Sequence, residues 1–208
     1  MRLNLEQGIY LVKLARNTIE EYLQTGKVAY GVEVKEAFPE LKEPRGVFCT
    51  LNTFPEKQLR GCIGLPYPEK PLLEAVREAA ISSTRDPRFP PLAKEELNKV
   101  TVELSILTQP ELIRVSSPEE YLEKIEPGKD GLILRYKEPR SGAISQGLFL
   151  PQVWEELPQK EEFLSNLCYK AGIWNPKAWK HPNAELLRFR VQVFEEETPR
   201  GEIIEKLL

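Results

Sequence analysis

Residues 99–108 read KVTVELSILT, and this alternation constrains the fold more than any other feature of the chain. Val100, Val102, Leu104 and Ile106 fall on one side of an extended backbone, and Thr101, Glu103 and Ser105 on the other. Only a strand with two unlike faces satisfies that pattern, so the chain must build a sheet with one apolar face to cover. GVFCTLN (46–52) alternates in the same way and is joined by a turn-like FPEK to LRGCIGLP (59–66), which predicts a strand pair. Helices to cover the sheet are also legible. Leu5, Ile9, Val12, Ile19 and Tyr22 recur at helical spacing between a capping Asn4 and a stop at Gly26, and PLLEAVREAAISS (71–83) opens with a proline suited to the first turn.

The order strand, strand, helix, strand recurs further along. GLILRY (131–136), AISQGLFLP (143–151), a helix from about Lys160 to Ala171 and one long strand LLRFRVQVFEE (186–196) follow a short capped helix at 117–126. Residues 27–45, with Pro39 and Pro44, read as a connecting segment. The shared order suggests a duplicated strand-strand-helix-strand unit, with halves of about 1–110 and 111–208.

Charge excludes several function classes. A net charge of -3, with the basic residues interspersed among Glu, leaves no nucleic-acid footprint. No apolar run approaches the roughly 18 residues of a bilayer span, and Glu6, Lys13 and Arg16 break the N-terminal stretch where a signal peptide needs an apolar core. The expected location is cytoplasmic, with no membrane partner. Cys49, Cys62 and Cys168 are odd in number and widely spaced, so reduced thiols are expected. With His181 the single histidine, no zinc or iron spacing is present; a carboxylate-rich magnesium site stays open, and the residues identify no cofactor.

Two stretches carry candidate chemistry. In LRGCIG, Arg60, Cys62 and Gly64 share a strand face, so Arg60 is placed to lower the Cys62 pKa, while Gly61 and Gly64 leave the adjacent surface open to another backbone or a ligand. The competing reading makes Cys62 a small core residue and the glycines marks of a bulge. In STRDPRFPP (83–91), Arg85 and Arg88 are candidates to hold a small anionic substrate, with Asp86 as orienter or general base. Its local alternative is helix-end complementation and a turn. Glu103 and Ser105, on the more polar face of their strand, either border a cleft or face solvent, with solvent preferred; Cys49 and Cys168 read as core.

LRGCIG (59–64), RDPRFPP (85–91), ELSILT (103–108), LPQV (150–153) and FEEETPRG (194–201) together resemble the AMMECR-type domain family, over almost the whole chain. The resemblance implies an α+β fold of two subdomains with the hexapeptide in a cleft. It implies a shared pathway with Memo-type and radical S-adenosylmethionine proteins, and it supplies no catalytic residue. Two functions are therefore expected as alternatives. One is a small-molecule enzyme with Cys62 as nucleophile or redox group; the other is a non-catalytic binding module for such partner proteins, in which Cys62 is packing.

Overall fold

The computed structural model describes residues 2–27, 38–139 and 141–206. Most of the expected connecting segment 27–45 lies outside the described residues; within the part described, Pro39–Lys42 form a turn of 3-10 helix.

Helix α1 spans Leu5–Thr25 and is bounded by its own side chains. Asn4 accepts from the Gln7 amide while the Gln7 side chain accepts from the Asn4 amide, and Gly26 closes the helix in the left-handed conformation. Its buried stripe is Leu11, Val12, Leu14, Ala15 and Ile19, whereas Leu5 lies half exposed. The chain then forms β1 (Val47–Thr53), β2 (Leu59–Leu65), α2 (Leu72–Ser83) and β3 (Val100–Leu107). Strand β1 lies between β2 and β3 and is antiparallel to both. Val47, Cys49 and Leu51 of β1 and Val100, Val102, Leu104 and Ile106 of β3 meet the apolar residues of α1 and α2 in one core.

A second series follows: β4 (Glu111–Leu112), α3 (Glu120–Lys124), β5 (Gly131–Lys137), β6 (Ile144–Phe149), α4 (Lys160–Lys170) and β7 (Ala184–Phe189). Here β5 lies between β6 and β7, again antiparallel to both. The same element order thus produces the same local topology twice, with the first strand central, the second at its flank, and the third returning beside the first after a helix. The second core collects Leu132, Leu134, Phe163, Leu164, Leu167 and Trp179. The fold class is α+β.

The expected single strand 186–196 is two strands. The chain breaks at Arg190, so that β7 completes the four-stranded sheet, order β4-β7-β5-β6, while β8 (Val191–Glu196) and β9 (Ile203–Lys206) extend the five-stranded sheet, order β2-β1-β3-β8-β9. The alternation of LLRFRVQV continues across the break, so it carries no mark of the change of sheet. The compact units are accordingly Met1–Thr108 with Gln192–Leu207, and Gln109–Val191. Arg190 sits at the crossing and pairs with Glu126 at 2.8 Å.

Candidate functional site around Cys62

Strand β2 is the outer strand of its sheet, so half of its backbone polar groups need partners from elsewhere. The loop after α2 supplies them. Asp86 Oδ2 accepts from the Cys62 amide at 2.8 Å, and Arg88 Nη2 donates to the Cys62 carbonyl at 3.3 Å. The same Asp86 accepts from the Arg88 amide and guanidinium, so one ion pair, with Asp86 buried and Arg88 half exposed, completes the edge of the sheet at a single residue. Arg60 secures the other end of the loop, giving a two-pronged contact to Glu96 at 2.8 and 3.0 Å and donating to the Pro90 carbonyl.

Several expected roles change with this geometry. Arg60 is committed to Glu96, and the cation that acts on Cys62 is Arg88. Burial dominates the Cys62 thiol and pushes its pKa up; the Thr50 hydrogen bond and Arg88 oppose that rise, and Glu103 and Asp86 add to it. The thiol is therefore a protonated group at neutral pH, not the activated thiolate that the Arg-Gly-Cys spacing predicts. Asp86 is held far below the usual carboxylate range, first by the Arg88 side chain, and both of its oxygens are occupied. Such a carboxylate orients Arg88 and is no general base.

Neither glycine leaves a gap. A Cβ on Gly61 would overlap the Ser83 carbonyl oxygen at the end of α2, and one on Gly64 would overlap the Phe48 ring. These glycines permit close packing of protein on protein. Arg85 turns away from this group and lies over the Tyr22 ring of α1, 4.9 Å from its centroid. Cys49 and Cys168 are fully buried, and burial raises the Cys49 pKa to about 12.

The register places a different set of groups beside Cys62. Cys62 pairs with Thr50, and Thr50 pairs with Glu103, so the three side chains stand in a row across β2, β1 and β3 on the face opposite the helices. Thr50 Oγ1 donates to Cys62 Sγ at 3.3 Å. At the far end Lys206 Nζ of β9 lies 3.5 Å from both Glu103 and Glu195. The Glu103 side chain is only 13% exposed, a correction to the expected solvent-facing position. Burial raises its pKa, Lys206 opposes the rise, and a hydrogen bond with Glu195 adds to it. Burial works against the charge of Lys206, but the two carboxylates outweigh it and hold the ammonium above its ordinary pKa. Sequence reasoning missed this row because its members come from four strands; only the polar parity of Glu103 in KVTVELSILT was available as a signal.

Among the described residues no cluster of metal-ligating side chains is present, and no helix is long and apolar enough to cross a membrane.

The AMMECR1 family model matches residues 12–194. The chain belongs to the AMMECR1 family. Protein MJ0810 of Methanocaldococcus jannaschii is 51% identical over 99% of this chain and 98% of that one, and protein MK0488 of Methanopyrus kandleri 48% over 99% and 96%. The crystal structure of the uncharacterized protein PH0010 from Pyrococcus horikoshii superposes with a TM-score of 0.86 at 46% identity, covering 100% of both chains. LRGCIG and RDPRFPP, the stretches that prompted the family resemblance, are thus the strand edge and the loop that seals it in this AMMECR1 fold.

Proposed function

We propose that the chain is a small-molecule enzyme in which Cys62 is the nucleophile and the Glu103–Glu195 pair is its proton acceptor. The observation that carries this reading is the row Cys62, Thr50, Glu103 in cross-strand register, ending on Lys206. A half-buried thiol and a half-buried carboxylate, both with raised pKa, are suited to exchange a proton, because each tolerates the neutral state. In the proposed step the Thr50 hydroxyl, which donates to Cys62 in the resting state, turns to donate its proton to the neighbouring Glu103 while its oxygen takes the thiol proton, leaving the sulfur anionic and the carboxylate protonated. The sulfur then forms a bond to an electrophilic carbon of an anionic substrate, whose displaced electron pair takes a proton from Lys206 or from the carboxylate pair. Arg88, its guanidinium half exposed beside the Cys62 carbonyl, holds the anionic group.

A second reading is supported by the filled glycines: a strand packed by Ser83 on its helix side and by Phe48 on its other face suits a binding module whose sealed loop docks a Memo-type or radical S-adenosylmethionine protein. One experiment separates the two. Native protein is treated with iodoacetate and with neutral iodoacetamide, and modification of each cysteine is followed by peptide mass spectrometry. The enzyme reading predicts that iodoacetate is preferred at Cys62 alone and that Arg88→Gln removes the preference. Equal, slow modification at all three cysteines would overturn it in favour of the module.

A further inference from the structure

The four-stranded sheet carries polar residues at one end of a face that α4 does not cover. On the α4 face Gly147 packs against Ala171, and Phe149 meets the Phe163 ring. On the opposite face stand Ile133, Arg135 and Lys137 of β5. Arg135 has Gln146 of β6 on one side and Glu185 of β7 on the other, and Lys137 has Ile144 beside it. A cavity of about 690 Å³ opens there, walled by Arg135, Lys137, Glu138, Ile144, Gln146 and Glu185. Its size lies in the range of small-molecule sites.

Three observations point to a ligand. Glu185 is the direct cross-strand neighbour of Arg135, yet among the described residues neither Arg135 nor Lys137 has a carboxylate within ion-pair distance. Among the described residues Gln146 Nε2 is buried with no hydrogen-bond partner, although buried amides are ordinarily satisfied. Ile144, 69% exposed, offers an apolar wall at the same rim. Arg135, Lys137 and the Gln146 amide thus line the space together with two carboxylates, Glu185 beside Arg135 and Glu138 next to Lys137.

We infer that this cavity binds a small amphoteric metabolite, its phosphate or carboxylate held by Arg135, Lys137 and the Gln146 amide and its amine or hydroxyl by Glu185. The planar guanidinium suits an oxyanion, and Glu185 accepts from the donor group that a bare anion lacks. The site is built wholly from residues of the unit Gln109–Val191.

Calorimetric titration of the full chain with inorganic phosphate and with phosphoethanolamine tests the inference. Phosphoethanolamine binds more tightly than phosphate, Arg135→Gln or Lys137→Gln weakens both by about tenfold or more, and Glu185→Gln removes the preference. The Gln146 side-chain amide resonance shifts on binding. Absence of binding at millimolar concentration, undiminished binding by Arg135→Gln, or an unmoved Gln146 amide resonance would overturn the assignment.

Discussion

Asp86 receives the Cys62 amide, the Arg88 amide and the Arg88 guanidinium together, and its depressed pKa turns that geometry into a pH dependence. A carboxylate with a folded-state pKa below its unfolded value of about 3.9 contributes stability that is present above that value and lost as pH falls below it. Thermal unfolding of Asp86→Asn is therefore expected to show a flatter acid limb than the wild type, and to lose about 1.5–3 kcal/mol at neutral pH, the range for hydrogen bonds to a charged group. An unchanged acid limb would mean that Asp86 carries no such linkage. The residues that make this site were legible as unusual, but their roles were not. An arginine two positions before a cysteine predicts proximity on a strand, and Arg60 instead finds Glu96, a partner 36 residues away that no local spacing reveals.

Helix α1 was read correctly from its local chemistry, whereas α3, expected as a capped helix over 117–126, is Glu120–Lys124 with no side-chain cap, and the path of 186–196 is decided by distant partners. The Asn4 cap and the Gly26 stop lie beside the helix they delimit, so α1 was readable from its ends. Its buried stripe was harder to assign because Arg16 belongs to it. Arg16 Nε donates to Glu196 Oε1 at 3.0 Å, its Nη2 donates to the Val100 carbonyl at 2.8 Å, and Glu196 Oε2 accepts from the Val102 amide. This closed network joins α1 to β8 and β3. Removing one member leaves a buried charge unpaired, which costs about 3–5 kcal/mol. Urea unfolding should show that loss for Arg16→Met, with partial recovery in the double variant with Glu196→Gln; a loss below about 1 kcal/mol would show that water reaches the pair.

Across the whole molecule the repeated strand-strand-helix-strand order gives each sheet the same central strand arrangement, and each has its own apolar cluster. The α+β class followed from alternating strands and amphipathic helices, each a local pattern. The return of the chain at Arg190 did not, because a strand that changes sheets keeps its polar and apolar parity while its partners change. That return matters chemically: β8 and β9 bring Glu195 and Lys206 to the face on which Cys62, Thr50 and Glu103 already stand. The claim that these groups form one electrostatic site is tested most directly by the pH profile of iodoacetamide labelling at Cys62, in wild type and in Glu103→Gln. The thiol of the wild type should ionise above the ordinary value of about 8.5, and loss of the Glu103 charge should move that midpoint downward. A wild-type midpoint at or below the ordinary value, or one that Glu103→Gln leaves in place, would contradict the account.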